Sequence, residues 1–176
     1  MNPENIYSLD FELDFLRSFL ALIDSRFVEL EKIVKDRNPD DYILVFDDME
    51  YLRGVGFVVC QRYITSICCW WQIDKVSALS AGPKLANGLT YSSVINVAAN
   101  YWKHFDEWGE NKNEGVRLSA RQEIENLGIT LSGGHVISKI FEKVGASNFS
   151  ALLPILKEWR SEVFQTCSQV KKNSGA

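Results

Sequence analysis

The sequence predicts an all-α fold, a helical bundle built on a long antiparallel helix pair with three or four shorter helices packed against it. Three observations carry that expectation. Apolar residues recur at three and four positions along almost the whole chain, the spacing that places them on one side of an α-helix. The two longest such stretches are separated only by the polar break Arg37-Asn38-Pro39-Asp40, and long helices joined by a short turn fold back on each other. No repeat, low-complexity tract or interdomain linker interrupts the 176 residues, of which 46% are hydrophobic and 12% aromatic, enough for one sizeable core. A single domain over residues 1–176 follows.

The first long helix is expected from about Asp10 to Asp36, with Phe11, Phe15, Phe19, Leu22, Ile23, Phe27, Leu30 and Val34 as its core face. The second, from about Tyr42 to Ile73, carries Phe46, Met49, Leu52, Val55, Val59, Tyr63, Ile67 and Trp70 in the same rhythm. Gly54 and Gly56 lie inside it, where glycine costs helix stability, and their use there is close helix packing. From Asp74 to Thr90 the turn signals Ala81-Gly82-Pro83 and Asn87-Gly88 predict a long loop. A third helix is expected from about Tyr91 to Trp108, capped by Thr90 or Ser92, then a polar loop over Gly109 to Gly115. A short fourth helix should start at Ser119, a fifth should run from about His135 to Val144, and a last from about Asn148 to Val170. Residues 171–176 are expected to fray.

A formal charge of −4 and a pI near 5.3 argue against broad attraction to nucleic acid or anionic lipid. No uninterrupted apolar run approaches about 18 residues and Met1-Asn2-Pro3-Glu4 lacks a signal-peptide pattern, so a cytoplasmic protein without membrane partners is expected. Cys60, Cys68, Cys69 and Cys167 show no CxxC spacing and read as buried thiols. No GxSxG elbow, phosphate loop or dinucleotide fingerprint is present, and Gly133-Gly134-His135 reads as a helix entry. No cofactor is implied.

The segment Ala99-Asn100-Tyr101-Trp102-Lys103-His104-Phe105-Asp106-Glu107-Trp108 holds one of only two histidines. Projected at about 100° per residue, Val94, Val97, Ala98, Tyr101, Phe105 and Trp108 form an apolar stripe, and Asn96, Asn100, His104 and Glu107 a polar seam beside it. Burial would lower the pKa of an imidazole at that boundary and Glu107 would raise it, and either suits acid–base chemistry near neutrality. A boundary histidine bonded to its neighbours explains the same pattern. A metal reading joins His104 and Glu107 to Asp106, with Asp47, Asp48 and Glu50 as further carboxylates, but acidic clusters on helices are usually solvated faces and no metal is expected. Arg53, Arg62, Lys75 and Lys84, on the second helix and the loop after it, with Lys103, Lys112, Arg117 and Arg121, would surround His104 with positive charge if the 74–90 loop packs over the third helix, while ordinary solvated charges are the simpler account. Trp102, with Trp71 and Tyr63, is a candidate aromatic surface for a partner.

Asn100-Tyr101-Trp102-Lys103-His104 resembles the latter part of the Arg-Asn-x-x-x-His motif of HEPN domains, helical-bundle proteins of prokaryotic toxin and defence systems. In active members the Arg and His of two subunits meet at a dimer interface and support metal-independent RNA cleavage. The resemblance therefore implies a homodimer in which His104 is the general acid–base or RNA-contacting residue, Asn100 orients it and Lys103 contacts phosphate. It covers about ten residues directly, together with the helical pattern of most of the chain. The arginine position is Ala99, and no Arg lies four to six residues before either histidine. Since an arginine would stabilise the charge of a phosphoryl transition state, the fold is implied more strongly than the ribonuclease.

Two functions are thus expected from the sequence. The first is a HEPN-like defence or toxin–antitoxin-associated protein that binds RNA, with ribonuclease activity in doubt for want of the arginine. The second is a non-enzymatic helical module that binds a partner protein, such as an immunity or adaptor protein.

Overall fold

In a computed structural model, which describes residues 11–36, 42–104, 121–131 and 134–173, the two long apolar segments are helices α1 (Phe11–Asp36) and α2 (Tyr42–Trp71). They run antiparallel: Leu30, late in α1, clusters with Val45 and Met49, early in α2. Leu16 and Phe19 instead share a groove with Val58, Val59 and Tyr63. The remaining elements are α3 (Lys75–Ser80), α4 (Tyr91–His104), helical turns over residues 121–126, α5 (Val136–Val144), a 3-10 turn (Phe149–Ala151) and α6 (Leu152–Asn173). Among the described residues there is no strand, and the fold is all-α.

The face of α1 differs from the expected one. Leu13, Leu16, Leu20, Ile23 and Leu30 are buried, whereas Phe11, Phe15, Phe19 and Leu22 are 72%, 59%, 40% and 68% exposed. The N-terminal half of α1 carries two apolar stripes at helical spacing, rotated from each other by roughly a third of a turn. Periodicity reveals both and cannot say which one meets the core; the leucine stripe does. α2 is buried on more sides than one stripe accounts for, since Phe57, Cys60 and Ile64 are fully enclosed, while Phe46 and Trp70 at its ends face outward. The reason is its position between α1 and α4, both of which pack against it.

The two glycines of α2 make that central position possible. A Cβ at Gly54 would lie 2.1 Å from Cδ2 of Trp102, and one at Gly56 would lie 2.4 Å from Cζ of Phe149. Alanine returns about 1 kcal/mol of helix propensity, against an overpacking cost of about 1–3 kcal/mol. Which effect wins depends on whether the neighbour can move. Trp102 is half-buried, while Phe149 is fully buried and packed against Phe27, Phe57 and Phe141. Gly56→Ala is therefore expected to destabilise by about 1–2 kcal/mol and Gly54→Ala by less than about 1 kcal/mol. Urea unfolding of the two variants checks this, and the reverse order would contradict the packing described.

The segment expected as one long loop contains α3. Asp74 caps it, its carboxylate accepting from the backbone N–H of Ser77 at 2.8 Å, and these bonds hold the Asp74 pKa down. The rest of the segment is folded down on α4. The Thr90 and Ser92 hydroxyls both donate to the carbonyl of Leu79, Lys84 and Thr90 form an isolated bridge, and indole Nε1 of the buried Trp159 donates to Ala78 O at 2.8 Å. Thr90 also caps α4, as expected, accepting from Ser93 N at 3.2 Å. The last helix begins with the 3-10 turn and continues to Asn173. The start of the fourth helix at Ser119 and the 109–115 loop lie outside the described residues.

Two carboxylates on the long hairpin fasten the later elements. Asp24 accepts from the backbone N–H groups of Phe149 and Ser150, at 2.8 and 2.9 Å, and from the Ser150 hydroxyl. Glu50 does the same for Ile137 N and Ser138 N, at 2.7 and 2.9 Å, and for the Ser138 hydroxyl. The N-cap residue of α5, His135, has a left-handed backbone and no side-chain cap bond, so Glu50 meets the donors that a local cap would have met.

Candidate functional site

The polar seam of α4 forms a bonded network with α2. Asn96, Asn100 and Lys103 follow at spacings of four and three, and the side chain of Gln61 reaches across to all of them from the middle of α2. Gln61 Nε2 donates to Oδ1 of Asn96 and of Asn100, each at 2.8 Å, and Lys103 Nζ donates to Gln61 Oε1 at 2.8 Å. Gln61 is buried, so its amide must find protein partners, and α4 supplies both kinds. Burial lowers the Lys103 pKa, and Lys75, close enough to act on it, lowers it further.

His104, the last residue of α4, is exposed, and Oδ1 of Asn100, the residue expected to orient it, accepts from Gln61 Nε2. Trp102 lies over Gly54 and meets the ring of Tyr51 edge-on at 5.2 Å. Arg121 pairs with Glu125 at 2.9 Å on the solvent side. Glu107 and Arg117 fall outside the described residues, as do Phe105, Asp106 and Lys112. Ala99, at the motif's arginine position, is completely buried.

Glu50 is the cap of α5 rather than a metal ligand, Asp47 and Asp48 are exposed, and no three His, Cys, Asp or Glu among the described residues converge on a possible metal position. Arg53 stacks over the rings of Phe27 and Phe141, 5.0 and 5.8 Å from their centroids, and donates to Ser138 Oγ. Burial lowers its pKa while Glu50, Glu142 and Glu31 pull the other way. Tyr63 is buried against Trp159 and Trp71 packs on Phe164, so the exposed aromatic at that end of α2 is Trp70. Cys60 and Cys68 are buried, and burial raises both thiol pKa values, while Cys69 is exposed. Among the described residues no helix is long and apolar enough to cross a membrane.

Two of the surface concavities among the described residues lie beside these elements. One of about 490 Å³ opens between the 81–90 loop and α4, with Lys84, Thr90, Ser93, Asn96 and Glu123 on its walls; burial raises the Glu123 pKa. It touches the polar seam at Asn96 but brings one cation and one carboxylate, with no nucleophile and base in contact. The other, of about 260 Å³, lies between α1 and α2 and is almost entirely apolar, walled by Phe15, Phe19, Val58 and Val59 with Glu12 and Arg62 at its edges. It continues onto the exposed Phe11-Phe15-Phe19-Leu22 stripe. The sequence contains that signal, an apolar stripe at helical spacing, but the spacing alone assigns it to the core.

Comparison with protein-family models, curated proteins and solved structures finds nothing that matches this chain.

Proposed function

We propose that this chain is a non-enzymatic helical interaction module. The observation that carries this reading is the row of four large apolar side chains on α1, 40–72% exposed, beside an apolar groove. A soluble surface holds scattered apolar residues as a matter of course, but a contiguous row beside a concavity is the physical mark of a contact site. The α4 seam supports the same reading from the other side. Its amides and lysine satisfy one another and the buried Gln61, which is the behaviour of a packing element.

One observation favours the HEPN-like, RNA-contacting alternative. Lys75 and Lys103 lie close together near the exposed His104, a local concentration of positive charge in an acidic chain. In that reading the protein belongs to a defence or toxin–antitoxin setting and contacts RNA without cutting it.

Incubation of the full chain with mixed RNA in EDTA, alongside His104→Ala and Lys103→Ala and with binding recorded in the same samples, separates the two. The expected result is no cleavage and no binding that either substitution removes. Binding lost with Lys103→Ala, and weakening steeply with salt, would establish the RNA-contacting alternative. Cleavage lost with His104→Ala would overturn the non-enzymatic reading.

A further inference from the structure

The area and charge of the α1 face identify its partner. Resting on the reading of the chain as an interaction module, we infer that the outer face of α1, with its groove against α2, docks a second copy of this chain across a two-fold axis. Phe11, Phe15, Phe19 and Leu22 offer on the order of 400 Å² of exposed apolar surface per copy. A standard interface buries about 800 Å² per partner, a little over half of it apolar. The stripe is therefore the apolar centre of one interface of that size.

Charge selects the copy over an unrelated partner. Two ion pairs flank the stripe on α1, Asp14 with Arg17 and Arg26 with Glu29, and each is neutral toward a like surface. Glu12 of α1 and Arg62 of α2 both line the groove, and one guanidinium nitrogen of Arg62 also donates to Ser66 Oγ within α2. A two-fold axis through the groove carries Arg62 of one copy toward Glu12 of the other and the reverse, two complementary contacts from one pair of residues. An unrelated partner would have to supply that charge pattern independently.

Sedimentation velocity of the full chain over a range of concentrations tests this, with thermal unfolding and RNA cleavage in EDTA recorded on the same samples. The wild type is expected to dimerise. Phe15→Gln, at an exposed position, should raise the dissociation constant about tenfold or more, with thermal unfolding unchanged at concentrations where both proteins are monomeric. Glu12→Arg and Arg62→Glu should each weaken the dimer, and the two together should restore it, since the charges then pair in reverse. A wild type that stays monomeric, or a dimer indifferent to Phe15→Gln, overturns the second copy as occupant. A monomer that leaves RNA intact does so without touching the interaction-module reading, whereas RNA cleavage counts against that reading whatever the oligomeric state.

Discussion

Asp24→Ala is expected to lower stability by about 2–3 kcal/mol, the loss of charge-assisted hydrogen bonds together with the exposure of orphaned donors. A single carboxylate holds two backbone N–H groups and one hydroxyl at the start of the 3-10 turn that leads into α6. One of those N–H groups belongs to Phe149, which is fully buried under the aromatic cluster, so water cannot replace the lost acceptor there without opening the core. The expected fall in melting temperature is about 5–10 °C for a chain of this size. Asp24→Asn keeps one acceptor oxygen and should recover part of the loss, while Ser150→Ala removes only the hydroxyl contact and should cost about 1 kcal/mol. Circular-dichroism melts of the three variants check the order. A loss below about 1 kcal/mol for Asp24→Ala would mean that the hairpin is not what fixes the entry of the last helix.

The architecture was readable in the sequence because it depends on local signals that agree. The bounds of α1 and α2, the Thr90 cap and the close-packing role of Gly54 and Gly56 follow from apolar spacing, a polar break and cap chemistry, each legible within a few residues. Three features were not. α3 is only six residues long, too short for a periodic signal, and its Asp74 cap sits among turn residues that argue for a loop. The choice of stripe on α1 depends on which side α2 and the 3-10 turn occupy, a tertiary fact that no helical projection contains. The seam on α4 was correctly seen as polar, but its partner Gln61 lies 35 residues from Asn96. A glutamine among the apolar residues of a central helix was the one available clue, and it marks a buried amide only once the helix is known to be enclosed.

Ala99→Arg installs the residue that the HEPN motif would require, and it is expected to unfold the protein rather than activate it. Position 99 is fully enclosed, with Ala98 and Ile95 beside it equally buried. A guanidinium placed there enters the buried core, a cost on the order of 4 kcal/mol or more and a large share of the stability of an ordinary domain. The geometry works against the motif as well. Positions 99 and 104 are five residues apart, about 140° around the helix, so a side chain at 99 points into the core while His104 points to solvent. Asn100→Arg makes a useful companion, since Asn100 is only half-buried; it should lose one acceptor of Gln61 and cost about 1–2 kcal/mol. Thermal melts with RNA cleavage measured in EDTA on the same samples decide the matter. If Ala99→Arg melts near the wild type and cuts RNA, position 99 reaches solvent in the working protein and the ribonuclease reading is restored. If it melts more than about 10 °C lower and cuts nothing, the alanine is required by the packing of this fold.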